Sequence, residues 1–332
     1  MTENRTILLW GIPEDAPTAA MQDALRRANS DFIFLNQHAV LRTTVELIVG
    51  SSVEGQLRIG DQDFGLAQIK SAYLRPYEPA AFPQIARAGP HSRVWRHAHT
   101  VYQALHSWSE ITDALVVNRP DAAAVNNSKP YQAALIEALG FRTPRTLITT
   151  DPALALDFWR QHEVVIYKSI SAVRSIVSRL SDKHHCRLAD IANCPTQFQQ
   201  YISGTEYRVH VVGDEVFACA ITTNADDYRY SDKPVQMQAC ELPPEVAATC
   251  RRLAQSMNLH VAGIDLRRTS QGDWYCFEVN PSPGFTYFEN QTGLAIADSI
   301  ARFLMRGTGE NRQRYPTRRD SDESLYQAAA VS

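Results

Sequence analysis

Two short stretches near the C-terminal end, Gly263-Ile264-Asp265-Leu266 and Phe277-Glu278-Val279-Asn280, alternate polar with apolar residues around the turn-forming run Thr269-Ser270-Gln271-Gly272-Asp273. That pattern predicts a β-hairpin with one buried face. With Gln271-Gly272 as a two-residue turn, Ser270 pairs with Asp273, and each outward step keeps the pairing. Asp265 then falls opposite Glu278, and Asn280 shares their face. Cross-strand neighbours have Cβ atoms about 5 Å apart and like charges there repel, so the pair calls for a cation between them. Two carboxylates and an amide carbonyl are an all-oxygen set, which suits magnesium or manganese better than zinc. The plain alternative is a solvated charged face.

Composition sets the frame for that site. At 332 residues the chain is long enough for two or three layered units with their own cores, and 44% hydrophobic with 21% charged residues is ordinary globular composition. A formal net charge of −3 gives no support for general nucleic-acid or membrane-surface binding. The cysteines at 186, 194, 219, 240, 250 and 276 form no CxxC pair and no zinc spacing, so they read as buried or idle thiols in a reducing compartment. The pairs His97/His99 and His184/His185 lack further ligands at metal-site spacing. Too few apolar residues precede Pro13 for a signal segment or a membrane span, which leads to the expectation of a cytoplasmic protein.

Along the chain, a buried strand over 6–12, a helix over 18–28 and a strand over 32–35 open as βαβ, yet the Gly11-Ile12-Pro13 turn carries neither GxGxxG nor GxxxxGK[ST]. Strand-like pieces at 45–49, 56–59 and 64–70 and a helix over about 91–109 complete an N-terminal unit, 1–117. The run 121–128 reads as a polar, alanine-rich connection. A second unit, 118–190, holds a helix over 131–139 stopped by Gly140, a helix capped by Asp151-Pro152, and the β-branched strand Val164-Val165-Ile166-Tyr167-Lys168. A third, 191–306, is strand-rich, with a hairpin about Gly213-Asp214, a helix over 244–257, the acidic hairpin and a last helix over about 296–304. The charged run from 307 to 332 is expected to be a disordered tail.

Taken in order, these features resemble the ATP-grasp superfamily: Lys129 before a helix, Gly140, Pro144 and Thr146 at a strand entry, strand-terminal Lys168, Phe198-Gln199-Gln200-Tyr201-Ile202, Glu206 and Arg208 on a hairpin, then Asp265, Glu278 and Asn280. Within it the chain is most similar to the branch of ribosomal-protein glutamate ligases and microviridin-type peptide ligases. That likeness covers roughly 115–305 and is most specific at Glu206-Tyr207-Arg208-Val209, Asp227-Tyr228-Arg229 and Asn280 through Leu294; Tyr73-Leu74-Arg75-Pro76 carries it into the N-terminal unit.

The resemblance implies an α/β (α+β) ATP-grasp fold: an N-terminal pre-ATP-grasp domain, a small central subdomain and a C-terminal antiparallel-sheet subdomain. It also implies an ATP-dependent ligase that activates a carboxylate as an acyl phosphate for attack by an amine or hydroxyl. Asp265, Glu278 and Asn280 would hold magnesium, Lys129 and Lys168 would grip ATP phosphates, and Gln199, Tyr201 and Ile202 would line the adenine. Arg208, with Lys168, would act at the reacting phosphate; Arg75, Asp227, Arg229 and Tyr287 are candidates for substrate contact. Other readings stay open: Arg208 pairing with Glu206, Asp227 with Arg229 as a surface ion pair, and Tyr287 with Phe288 as plain packing. One departure is the run Ser169-Ile170-Ser171-Ala172-Val173-Arg174-Ser175, which has no glycine where many members cover the phosphates with a glycine-rich loop. A peptide or protein substrate is expected, with a small-molecule amino-acid ligase or an inactive ATP-binding interaction protein as alternatives. A homo-oligomer is compatible with these features.

Overall fold

The computed structural model describes residues 6–50, 52–169, 178–222 and 235–307. The tail from 308, together with Asp227, Arg229 and 170–175, lies outside them.

The N-terminal unit starts with β1 (Thr6–Gly11), α1 (Ala16–Arg27) and β2 (Phe32–Asn36), followed by a meander of β3 (Thr43–Val49), β4 (Val53–Ile59) and β5 (Gln62–Gly65). Next come β6 (Ile69–Leu74), α2 (Pro83–Ala88), α3 (Arg93–Ile111) and β7 (Leu115–Val117). Strands β1, β2, β6 and β7 form a parallel sheet of order β2-β1-β6-β7. Ser92 caps α3 by accepting from Trp95 N, and Ala98, Val101, Leu105 and Trp108 recur at helical spacing to cover one sheet face. Run 121–128 is not a plain connection: it holds α4 (Pro120–Ala123) and a 3-10 turn, Ala124–Asn127.

The second unit holds α5 (Lys129–Ala138), β8 (Thr146–Thr149), α6 (Pro152–Gln161), β9 (Val165–Ser169), β10 (Ser178–Arg179) and β11 (Thr196–Gln200). Its sheet, of order β10-β9-β11-β8, takes in β11 and so runs past residue 190 to Gln200. The C-terminal sheet is built from β12 (Thr205–Val212), β13 (Glu215–Thr222), β14 (Gln236–Cys240), β15 (Val261–Arg268) and β16 (Trp274–Asn280), in the order β14-β13-β12-β15-β16. Between β14 and β15 lies α7 (Pro244–Ser256); α8 (Thr286–Thr292) and α9 (Ile296–Arg306) follow β16. Ile296, Ile300 and Leu304 of α9 share a core with Leu9, Leu25 and Tyr73, so the last helix closes the second face of the N-terminal sheet. No helix among the described residues is long and apolar enough to cross a membrane.

Candidate active site

The C-terminal sheet has two unlike faces. Val209, Ile264, Leu266, Cys276 and Val279 belong to the core beneath α7, while across β12, β15 and β16 the residues Arg208, Asp265 and Glu278 form a row in direct register on the other side. Gly263 and Asn280 pair one step further along.

The hairpin reaches its expected register by a different route. Thr269, not Ser270, meets Asp273: Thr269 N donates to Asp273 O at 2.9 Å and Gly272 N to Thr269 O at 3.0 Å. A three-residue loop results, with Gly272 at φ +93°, the left-handed conformation its last position needs. The inner pairs run from Arg268–Trp274 to Leu266–Cys276, and an irregularity before Asp265 then shifts the register so that Asp265 meets Glu278. Phe277 is the extra residue of a β-bulge. Loop and bulge each displace the chain by one residue, and the displacements cancel. The bulge also directs the acid: Cys276 and Val279 are both fully buried, and the two residues between them, rather than one, leave Glu278 on the Asp265 side.

Each carboxylate meets a cation from a different element. Arg208, only 7% exposed, has Nη1 2.6 Å from Asp265 Oδ1. Lys129, the first residue of α5, has Nζ 2.5 Å from Glu278 Oε1 and also donates to Asn126 Oδ1. Gln132 fixes that helix: its Nε2 donates to Val279 O at 2.8 Å, and Val279 N donates to its Oε1 at 2.9 Å. Both backbone groups between Glu278 and Asn280 are thus gripped by a side chain one helical turn from Lys129. Glu206 pairs with Arg267 and not with Arg208. The Phe288 ring lies 5.4 Å from the Arg208 guanidinium carbon and 5.3 Å from the His210 ring. Burial, reinforced by the charge of Arg208, holds His210 well below the usual histidine range. A Cβ on Gly263 would lie 2.8 Å from Arg208 Cζ and 2.8 Å from Pro283 Cβ, so glycine leaves the guanidinium its room.

The central sheet contributes the remaining expected residues. Lys168 is in register with Gln197 on β11. Gln199 Nε2 donates to Thr146 Oγ1 at 2.9 Å, Tyr201 N to Val164 O at 2.9 Å, and Ile202 O accepts from Arg267 Nη1 at 2.7 Å. These polar groups therefore have internal partners, and the Tyr201 ring is flanked by the guanidinium groups of Arg179 at 4.4 Å and Arg267 at 5.5 Å. Tyr287 is 49% exposed, with its ring edge-on to Phe288.

Arg75 sits in a strut that joins the N-terminal end of α1 to the loop after β16. Its Nε and Nη2 grip the Asp15 carboxylate at 2.8 and 3.2 Å, while Nη1 donates to Ser282 Oγ at 2.7 Å and Pro283 O at 3.3 Å. A guanidinium so engaged positions the loop after Asn280. Asp15 caps α1 through Thr18 N. Although burial pushes its carboxyl up, the hydrogen bond and charge of Arg75 outweigh that and hold it low. Asn118 works beside the strut: Nδ2 donates to Val261 O and Pro281 O, each at 2.6 Å, and Oδ1 accepts from His260 N and Val261 N. Sequence reasoning missed Asn118, Gln132 and Gly263. Only Gly263 carried a usable signal, a lone glycine inside a strand two residues before the acid.

Among the described residues no group of three or more His, Cys, Asp and Glu side chains could hold a metal. The candidate set is therefore Asp265 and Glu278 with Asn280, whose Oδ1 accepts from Ser282 N at 2.9 Å. An acidic pair that draws a cation to each member, beside a further amide oxygen, fits a hard divalent ion.

Four sheets so arranged among the described residues, with an acid row on the open face of the five-stranded one, define an ATP-grasp protein. The profile of the RimK-like ATP-grasp domain matches residues 126–304, more than half of the chain. The chain belongs to that family. A probable alpha-L-glutamate ligase of Picosynechococcus is 35% identical over 111 residues, 32% of this chain and 36% of that protein. Probable alpha-L-glutamate ligase 2 of Shewanella denitrificans is 36% identical over 112 residues, again 32% and 36%. The chain thus spans only about a third of the length of these curated relatives. Among solved structures, the ATP-grasp ligase PsnB, complexed with a phosphomimetic variant of its minimal precursor, Mg and ADP, is 25% identical, with TM-score 0.73 over 91% of this chain and 98% of that one. A RiPP-associated ATP-grasp ligase of Chryseobacterium gregarium shares the fold at 19% identity, TM-score 0.78, over 94% and 99%.

Proposed function

We propose that the protein is an ATP-dependent ligase that joins a carboxylate to an amine or hydroxyl through an acyl phosphate, with a peptide or protein side chain as the carboxylate donor. The observation that carries this reading is the row Arg208, Asp265 and Glu278, with Lys129 over its end. The PsnB complex with a precursor, Mg and ADP supports the nucleotide, the metal and the peptide class.

Asp265, Glu278 and Asn280 would hold magnesium, and manganese satisfies the same oxygen set. When bound, the metal neutralises phosphate charge and orients the transferring group. Lys168 and Lys129 would bind the phosphates as point charges, and the segment from Gln199 to Ile202 would wall the adenine. The γ-phosphoryl group of ATP passes to a substrate carboxylate oxygen as its bond to the β-phosphate oxygen breaks and ADP leaves. The amine or hydroxyl then attacks the acyl carbon, the bond from that carbon to the phosphate oxygen breaks, inorganic phosphate leaves, and the nucleophile loses its proton. Arg208, buried and held by Asp265 and Phe288, offers a fixed positive charge to the acyl phosphate oxygens without reorganisation. Tyr287 is exposed enough to touch substrate; Asp227 and Arg229 remain candidates for the same task. The site is expected to work in the cytoplasm.

The test is incubation of the purified protein with ATP, magnesium and precursor peptides, reading ADP release together with product mass. Coupled ADP release and loss of one water per bond formed is the expected result. Rapid product from free amino acids or dipeptides, saturating at low concentration, would replace the peptide reading with that of a small-molecule ligase.

A further inference from the structure

Resting on that reading of the site, we propose that Lys129 is an internal counter-cation of Glu278 that is exchanged for metal only when nucleotide arrives, so that the site takes up metal together with nucleotide and poorly without it. Asp265 and Glu278 lie opposite each other, and each already has a positive partner. A divalent ion entering alone must displace one of the two cations or sit beside both.

The two partners are not equally able to leave. The Arg208 side chain is 8% exposed, lies against Phe288 and occupies the space that Gly263 leaves open. The Lys129 side chain is 31% exposed and stands at the first position of its helix, on a flexible four-carbon stem. Its other partner, Asn126 Oδ1, is neutral and cannot replace a carboxylate. The helix itself stays put, because Gln132, 1% exposed, grips both backbone groups of Val279. Exchange therefore falls on the Lys129 ammonium alone. A nucleotide phosphate is the anion that can receive it, and its arrival frees a Glu278 oxygen for the metal. Among the described residues Glu278 is the one carboxylate the ammonium meets, so metal entry without nucleotide loses an ion pair and adds repulsion between like charges.

The experiment is Mn2+ titration followed by electron paramagnetic resonance, with and without ADP, on the full chain and on Lys129→Met, Lys129→Arg and Glu278→Gln, each checked for folding by thermal melting. Lys129→Met is expected to bind Mn2+ alone about five- to ten-fold more tightly than the natural chain, the order of one partly exposed charged pair. Its gain in Mn2+ affinity on adding ADP should shrink. Lys129→Arg, which keeps the charge, should behave like the natural chain. Mn2+ affinity without ADP that is unchanged or weaker in a folded Lys129→Met overturns the inference. Natural-level Mn2+ binding by Glu278→Gln in the presence of ADP would instead remove the metal-site reading beneath it. A merely structural lysine would not tighten metal binding when lost.

Discussion

Arg208 and Asp265 face each other in direct register on β12 and β15, joined by a contact of 2.6 Å from Nη1 to Oδ1. The pair holds a guanidinium at low exposure in one orientation, ready for charge that develops in the reaction. Arg208→Ala should lower kcat at least about a hundred-fold with a smaller change in KM for ATP. Lys168→Ala should chiefly raise KM, because it removes a ground-state phosphate contact. Steady-state kinetics with ATP varied checks both, and a reversed pattern exchanges the two roles.

Glu278→Gln should abolish ADP release while changing stability by no more than about 1 kcal/mol. The ion pair it breaks is about one-third exposed, and Asp265 is relieved of a like charge. Melting curves set beside turnover test this; natural-level turnover would show that Glu278 holds no metal.

Gly263→Ala separates packing from chemistry. The new methyl must push against Arg208 and Pro283, an overpacking cost of about 1–3 kcal/mol. Because Arg208 is the neighbour that must shift, kcat should fall more than melting temperature alone accounts for. Full activity per folded molecule would mean that the position of Arg208 is not critical.

Acid should destabilise the protein in two stages. Burial holds His106, His210 and His260 below the usual histidine range, helped by Arg208 at His210 and Arg119 at His260 and opposed by Glu78 at His106. Between the folded value and the unfolded value of about 6.5, only the unfolded chain binds the proton, so stability is full above that pH and falls below it. For His210 the slope reaches about 1.4 kcal/mol per pH unit. Asp15, held low in the fold, adds stability above the ordinary carboxylate range that is lost as pH falls through its folded value. Melting temperature followed from about pH 7.5 to 3 should show both stages, and His210→Gln should flatten the first.

Asp15→Ala removes the cap of α1 and leaves the Arg75 fork, 15% exposed, without its carboxylate. A loss of about 3 kcal/mol in denaturant unfolding is expected. A loss below about 1 kcal/mol would mean that the strut contributes little.

The acid row was legible because its residues follow local rules: a period of two, a turn and like charges that must be reconciled. Even so, the register was reached from a two-residue turn and an unbroken ladder, and the molecule has neither. A bulge has no mark in the alternation of Tyr275-Cys276-Phe277-Glu278 that separates it from an ordinary strand. The partners of the row were less legible. That Lys129 would meet Glu278, or Arg75 bridge Asp15 and Ser282, depends on how distant segments pack, and the chain states neither in any local pattern. The alternating stretch around Arg208 also left pairing with Glu206 open, and it is the packing of Arg267 that gives Glu206 its partner.

The register of this hairpin limits where it can change length through descent. Removing one residue from Ser270-Gln271-Gly272 alone would leave Thr269 facing Asp273 and every pair beyond it in place, whereas removing one from Leu266-Arg267-Arg268 would carry Glu278 and Asn280 out of step with Asp265 and press a carboxylate toward the core side. Related chains should therefore vary in length at the loop, and an alignment that opens a single-residue gap within Leu266-Arg267-Arg268 marks a sequence in which the acid pair no longer faces one site.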